Sequence, residues 1–332
     1  MKDVIVRVQN LTKHFPIKIG FFKSLISKEI PVVRAVDGVS FNIRKKEIFG
    51  LVGESGSGKT TLARLILRLI EPTDGKIFFK GMDISTIPEK DMRKIRSKMQ
   101  IIFQDPYESL NPRMSVYDIV AEPLELQKVI NDQKKLKNRI VESLEDVGLT
   151  PPESFLYRFP HELSGGQRQR VAVARVFALR PELIVADEPV SMLDASVRGE
   201  VLKLMLSLVE KYDSTVMYIT HDISLSRVIC DRIAVMYLGK IVEMGTTEKI
   251  IKNPTNPYTK ALLSAVLVPD PTVKRANSVV KGEISSPLNP ASGCRFHPRC
   301  SYAMEECKKK EPKLIQVGKN HYVACHLVEN KN

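Results

Sequence analysis

The sequence predicts an α/β fold: a sheet core that carries a P-loop, a helical subdomain inserted into that core, and a small irregular cysteine-rich extension at the C-terminal end. Three observations predict it. The apolar run Ile48-Phe49-Gly50-Leu51-Val52 leads straight into a glycine loop and then into a helical pattern over 61–70, the strand–loop–helix order of a phosphate-cradling loop. Short apolar runs at Leu183-Ile184-Val185-Ala186 and Thr215-Val216-Met217-Tyr218-Ile219 alternate with helical stretches, which argues for a largely parallel sheet covered by helices. After Ile251 the composition changes, with Pro254, Pro257, Pro269, Pro271, Pro287 and Pro290 followed by four crowded cysteines.

In chain order, residues 4–8 and 39–43 read as strands. Between them, residues 17–30 contain Gly20, Phe21 and Phe22 and suggest a loop or short amphipathic insertion without an assignable role. Asp74-Gly75 marks a turn before a strand at 76–79, and Ile101-Ile102-Phe103 forms another that ends at Gln104. Prolines 106, 112 and 123 then interrupt the chain, and helices follow at 133–147 and 166–179, so about 105–180 is the helical subdomain. Residues 231–245 predict a hairpin turning at Leu238-Gly239-Lys240. The expected domains are 1–255 for the sheet core with its insertion and 256–332 for the extension.

Composition is that of a globular protein, 43% hydrophobic and 27% charged. No apolar run approaches the roughly 20 residues that cross a bilayer, and Met1-Lys2-Asp3-Val4 begins no signal peptide. A cytoplasmic chain is expected. The net charge of +13 suits anionic partners, but the lysines are scattered, as on a solvated basic surface, and no nucleic-acid groove is expected.

Three motifs carry chemistry. Gly53-Glu54-Ser55-Gly56-Ser57-Gly58-Lys59-Thr60, continued by Thr61, is a complete nucleoside-triphosphate cradle. Its glycines let successive N–H groups point inward, and the following helix adds its positive end. Lys59 can reach the β- and γ-phosphates and the Thr60 hydroxyl can ligate Mg²⁺. Next, the apolar strand at 183–186 ends in Asp187-Glu188. With a P-loop upstream, an acid there holds Mg²⁺ through water, and Glu188 is placed to orient or deprotonate the attacking water. Finally, Leu163-Ser164-Gly165-Gly166-Gln167 opens a helix with free N–H groups that suit an anion. Physics alone leaves open whether it is only a capped helix, and whose phosphate it meets.

These residues resemble the nucleotide-binding subunits of ATP-binding cassette (ABC) transporters, over about residues 4–250. Leu163 to Gln167 is similar to that family's signature motif, Gln104 to its Q-loop, Ser191-Met192-Leu193-Asp194 to its D-loop and His221 to its switch histidine. Phe15 falls where the family places an aromatic ring against adenine. The resemblance implies a RecA-like core and a head-to-tail dimer, with ATP between the P-loop of one subunit and the signature loop of the other. Lys59, Gln104, Glu188 and His221 would be catalytic, with Glu188 the base and His221 the γ-phosphate sensor. Thr60, Gln104 and Asp187 would serve Mg²⁺. Met192 and Lys46 depart from the family's common Ala and Gly, and neither position is catalytic.

A narrower resemblance is to the oligopeptide/dipeptide importer ATPases, the second-ATPase type of each pair. It rests on Arg34-Ala35-Val36-Asp37-Gly38-Val39-Ser40-Phe41, on Phe103 to Met114, on Asn256 to Leu263 and on Cys294 to Cys300. It implies a paired ATPase (a heterodimer expected, a homodimer possible), two transmembrane permease subunits, an extracytoplasmic solute-binding protein, and a place on the cytoplasmic face of the membrane. A non-transport ABC ATPase acting on ribosomes or nucleic acid is the alternative. Such proteins usually carry fused cassettes or a long coiled coil, and this sequence has neither.

The cysteines follow the spacing Cys294-x5-Cys300-x6-Cys307-x17-Cys325. Four thiolates can close a Zn²⁺ site or hold an iron–sulfur cluster, and gaps wider than paired CxxC suit the larger cluster. Free thiols are the third possibility. The resemblance implies [4Fe–4S]. His297, His321 and His326 could substitute for a ligand, although a hydrogen-bonded or solvated histidine is commoner. Cys230, among apolar neighbours, reads as a core thiol.

Overall fold

The structure, a computed structural model, describes residues 4–17, 31–105, 109–265, 288 and 290–329. The segment 18–30 and the motif residues Pro106, Tyr107 and Glu108 lie outside them.

The chain opens with strands β1 (Val4–Pro16), β2 (Val32–Arg44) and β3 (Ile48–Val52), helix α1 (Lys59–Ile66), and strands β4 (Asp74–Phe79) and β5 (Met82–Asp83). It continues through α2 (Glu89–Arg96), β6 (Met99–Ile102), α3 (Val116–Leu126), α4 (Gln133–Asp146), α5 (Gly165–Phe177), β7 (Leu183–Asp187), α6 (Ala195–Lys211) and β8 (Thr215–Thr220). It closes with α7 (Ile223–Ile229), β9 (Arg232–Tyr237), β10 (Lys240–Thr246), α8 (Thr247–Lys252), α9 (Pro257–Ser264), α10 (Glu305–Lys309), β11 (Leu314–Gly318), β12 (His321–Ala324) and α11 (His326–Glu329). These elements form two compact units.

The first unit comprises Val4–Ile43, Glu47–Ser85 and Tyr218–Asn332. One of its sheets has the order β2-β1-β4-β5, with Val6 opposite Phe79 and Val8 opposite Ile77. Alternation puts Val6, Val8, Ile77 and Phe79 inside, each burial worth about 1.5–3 kcal/mol. Another run of strands has the order β11-β12-β10-β9-β3. Here β3 pairs parallel with β9, Phe49 facing Arg232, and the other pairs are antiparallel. Arg232 is nearly inaccessible, and its guanidinium meets Glu47 at 3.0 Å and lies over the Phe49 ring at 5.3 Å. The β9–β10 hairpin turns at Leu238 and Gly239, with φ of 40° and 84°, the pair of positive angles that matches strand twist.

The extension is more regular than its prolines predict. Leu314–Gly318 and His321–Ala324 form a hairpin, and β12 adds to β10 with Val323 opposite Glu243. Asn320 at φ 56° makes the turn, and Val323 and Ala324 are buried. Lysine-rich flanks hid this short strand, because its partner lies about eighty positions earlier and no local pattern announces it.

The second unit comprises Arg44–Lys46 and Thr86–Met217. Strands β6 and β7 pair in parallel, Met99 with Leu183 through Ile102 with Ala186. Helices α3 and α4 pack on α5, as does α6. Ser115 caps α3 in a reciprocal box with Asp118, and Asp132 caps α4 by accepting from the Lys135 N–H at 2.8 Å. The buried face of α5 is Val171, Ala172, Val173, Ala174, Val176 and Phe177. Arg175 joins it to α3 through Glu122 at 2.6 Å. The insertion is thus helical as predicted.

Candidate active site

In the first unit, the buried strand β3 delivers the chain to Gly53, and Gly58 at φ 104° turns it into α1. A side chain at Gly58 would strike the Ala35 carbonyl, and one at Gly53 would strike that of Met236. Both positions therefore need glycine for close backbone approach. The Gly239 N–H donates to the Ser57 carbonyl at 2.8 Å, so the β9–β10 turn props the loop from behind. Lys59 is buried, and its ammonium donates to the carbonyls of Gly53 and Glu54, both at 2.8 Å. The lysine is therefore already held over the concave side of its own loop. Ser55, Gly56 and Thr60 are exposed, and Gly58 and Thr61 half-buried. Phe15, at the end of β1, is 39% exposed, with the Lys13 ammonium over its ring. His221 follows β8 and is exposed.

In the second unit, β7 is buried along its whole length and ends at Asp187, only 5% exposed. Glu188 adopts φ 46°, a left-handed conformation that costs a non-glycine residue about 1–3 kcal/mol. The surrounding bonds hold it there. Ser191 donates to the Glu188 carbonyl from both its N–H, at 3.1 Å, and its hydroxyl, at 3.0 Å. The Gln104 side-chain amide donates to the Glu188 carboxylate at 3.4 Å, so two of the expected catalytic residues meet. Glu188 is half-buried at this turn, whereas Asp187 is buried.

The signature segment is an N-cap with a reciprocal box. The Ser164 hydroxyl accepts from the Gln167 N–H at 3.3 Å, and the Gln167 side-chain carbonyl accepts from the Ser164 N–H at 3.0 Å. Gly165 is half-buried and has open space on its Cβ side. The loop shares a cavity of about 420 Å³ with Met192, Leu193 and Asp194, which brings the signature and D-loop segments together. Arg198 fixes the latter by donating to the Leu193 carbonyl at 2.8 Å and to that of Ser191 at 3.1 Å.

Sequence reasoning missed several supports. Gln169, fully buried on α5, donates to the Pro189 carbonyl at 2.6 Å and so ties the signature helix to the Glu188 turn. Its place inside the helical face was the available signal, since a buried amide needs a partner. Tyr258 and Arg299, from the extension, reach the P-loop residue Glu54.

The four tail cysteines are unbridged and line one cavity of about 560 Å³. Burial pushes three of these thiols up, Cys294 to about 12, Cys325 to about 11, and Cys300 in the same direction. Among the described residues, no three His, Cys, Asp or Glu side chains are grouped tightly enough to hold a metal ion. The tail histidines are engaged elsewhere: His321 with Glu243 at 2.8 Å, His326 with Glu329 at 2.7 Å, and His297 with the Cys294 carbonyl at 2.9 Å. Cys230 is a core thiol, pushed up by burial to about 12.

A buried strand that feeds a glycine loop with an inward lysine, and a second that ends in Asp-Glu, define a P-loop nucleotide hydrolase. Comparison with known proteins takes this further. Residues 36–191 match the ABC transporter family, and residues 242–307 match the oligopeptide/dipeptide transporter C-terminal region. The chain is 46% identical over 329 residues, 98% of each chain, to the oligopeptide transport ATP-binding protein AppF of Bacillus subtilis. It is 43% identical to a probable peptide ABC transporter ATP-binding protein of Sinorhizobium fredii, covering 98% of this chain and 91% of the relative. Among solved structures it is similar to a dimeric ATP-binding cassette in a post-hydrolysis state bound to ADP and Pi, with TM-score 0.63 and 30% identity over 73% of this chain and 99% of that one. The chain belongs to the ABC transporter family, as one of its ATP-hydrolysing, ATP-binding subunits. No helix among the described residues is long and apolar enough to cross a membrane.

Proposed function

We propose that this chain energises an importer of oligopeptides, dipeptides or a related solute. One observation carries the reading: a nucleotide cassette and an extension that matches the oligopeptide/dipeptide transporter C-terminal region occur in one chain, aligned nearly end to end with peptide-transport relatives. Residues 1–255 form the ATPase domain and 256–332 the extension. The partners are a second ATPase subunit, two permease subunits and a solute-binding protein, with the chain on the cytoplasmic face of the membrane. The helical subdomain is the grip on the permease. A groove of Met114, Tyr117, Ala121 and Leu126, with Leu126 68% exposed, supports that role.

Residues 53–61 bind the triphosphate and Phe15 stacks on the base. Lys59 exchanges its loop carbonyls for phosphate oxygens. Ser164 to Gln167 of the paired subunit close over the same nucleotide, their helix-start N–H groups facing the γ-phosphate. Glu188 accepts a proton from the attacking water, Gln104 positions that carboxylate, and His221 holds a γ-phosphate oxygen. The Thr60 hydroxyl, the Gln104 amide oxygen and the Asp187 carboxylate are hard oxygen donors that fit Mg²⁺. When bound, Mg²⁺ offsets phosphate charge.

For the tail cysteines the reading remains a [4Fe–4S] cluster, and what supports it is that the four thiols are unbridged and line one cavity. As they stand they are not grouped tightly enough for a metal ion, so either a cluster or Zn²⁺ would have to draw them together. A cluster would fix four points of a segment poor in buried apolar side chains. Visible absorption of anaerobically purified protein tests it: a colourless sample with stoichiometric zinc sinks the cluster. Transport is tested by reconstituting the chain with its permease and a binding protein. Peptide-stimulated ATP hydrolysis is expected. Hydrolysis stimulated by ribosomes and indifferent to the permease would overturn the reading.

A further inference from the structure

Every polar group of Glu54, the second residue of the P-loop, has a partner; of its four partners, Tyr258, Arg299, Lys59 and Ser57, the first two come from the extension. The Glu54 N–H donates to the Tyr258 hydroxyl at 2.9 Å. Its carboxylate takes a two-pronged contact from Arg299, Nη1 to Oε2 at 2.7 Å and Nη2 to Oε1 at 3.0 Å. Its carbonyl accepts from Lys59 at 2.8 Å. Glu54 is therefore a junction between the C-terminal extension and the lysine that must reach the phosphates.

The two extension residues are rigidly seated. Tyr258 is 1% exposed, and its ring centroid lies 4.6 Å from that of Tyr237 and 5.3 Å from that of Phe296. Arg299 is 7% exposed, ends the turn His297–Arg299, and carries its guanidinium 5.8 Å from the ring centres of Tyr237 and Phe296. A planar fork held between aromatic rings loses little freedom when it grips a carboxylate. Hydrogen bonding to Glu54 keeps Arg299 firmly charged.

Glu54 would otherwise be awkward where it stands. A carboxylate in a loop built to receive a polyanion repels that ligand, and a partly buried one without a partner repels it through a low dielectric. Its N–H, if left free, would also allow the loop to turn outward.

We infer that Arg299, assisted by Tyr258, is a positioning residue for ATP binding: it neutralises Glu54 and fixes the path of the P-loop, so that the extension sets the affinity of the nucleotide site. The inference rests on the ATPase reading but not on the identity of the transported solute. It also differs from a role as a mere tail anchor, because it acts through the charge of Glu54.

The test is equilibrium binding of MgATP to the full chain, together with KM and kcat of the assembled transporter. Arg299→Ala is expected to raise Kd and KM about tenfold with kcat within about twofold, since the lost interaction supports binding and not the chemical step. Arg299→Lys keeps the charge and loses the fork, so an increase of about two- to fivefold is expected. The double variant Arg299→Ala with Glu54→Gln removes the stranded charge and should return within about threefold of wild type. Wild-type affinity in Arg299→Ala overturns the inference. So does a double variant as weak as the single one, which would mark Arg299 as a tail anchor only. Wild-type hydrolysis that peptide fails to stimulate would count against the transport reading alone.

Discussion

Glu243 should be the costliest single polar residue to alter in the extension interface. It is 0% exposed and accepts from three donors: the Thr255 N–H at 2.8 Å and His321 Nε2 at 2.8 Å on one oxygen, and the Asn256 N–H at 3.1 Å on the other. A carboxylate can only accept, which makes His321 Nε2 the donor. Glu243→Gln keeps the shape but replaces one acceptor by an NH₂ group. Turned one way it faces the Asn256 N–H, and turned the other it faces two donors. Each stranded buried donor costs about 1–3 kcal/mol, so the variant should lose about that much. Glu243→Ala strands all three, and about 3–5 kcal/mol is expected. Native-state amide exchange at Thr255 and Asn256 measures the local free energy directly. The effect should also spread. Asn256 caps α9 by accepting from the Tyr258 N–H at 2.9 Å, and Tyr258 in turn holds the Glu54 N–H. Exchange at Glu54 should therefore accelerate as well. Unchanged protection at Thr255 and Asn256 in Glu243→Gln would refute the reasoning, because it would mean that the three contacts contribute no net stability.

Three more outcomes are expected. Gly58→Ala forces a Cβ into the Ala35 carbonyl at φ 104°, so it should abolish MgATP binding and lower the melting temperature; a titration that matches wild type would contradict the geometry. Glu188→Gln should slow hydrolysis roughly 100- to 1,000-fold with little change in MgATP affinity, and single-turnover kinetics beside a binding curve separate the two; unchanged hydrolysis would remove Glu188 as the base. Asp37 gives an acid-side signature. Burial pushes its carboxyl up, but Lys240 and Arg295, with His14, outweigh burial and hold it below its ordinary 3.8. The sign follows: this stabilisation is complete above pH 3.8 and is lost as pH falls through the lower folded value. Between pH 5 and pH 2, Asp37→Asn should therefore flatten the decline in melting temperature, and parallel curves for the two proteins would count against it.

The sequence exposed those parts of the site whose chemistry is local. Gly53 to Thr60 sits between a buried strand and a helix, and all the geometry it needs lies within a dozen residues, so its pattern could be read directly. Ser164 to Gln167 was legible for the same reason, since a capping box closes over three residues. The sharp conformation of Glu188 was not, because nothing in Asp187-Glu188-Pro189 announces a positive φ; the buried amide of Gln169 on α5 and the two bonds from Ser191 impose it. The β11–β12 hairpin escaped because β12 takes its stability from β10, through pairs such as Val323 with Glu243.

Arg299 shows why the extension in particular resists sequence reading. It lies 245 positions from Glu54, and beside Cys300 it looks like one more basic residue on a basic chain. Glu54, in turn, occupies a variable slot of the phosphate loop, where any side chain can stand. Neither residue carries a signal alone. Folding joins them because Tyr258 of Pro257–Ser264 and Phe296, immediately before the turn His297–Arg299, pack against Tyr237, at the end of the strand that pairs with β3. The aromatic cluster of Tyr237, Tyr258 and Phe296 therefore stands directly behind the phosphate loop, and the polar tips of Tyr258 and Arg299 project from that region toward Glu54. An extension tied only to β10 and β12 would stabilise the chain without touching nucleotide chemistry. Contact with both the N–H and the carboxylate of one P-loop residue makes ATP affinity depend on whether the extension is folded.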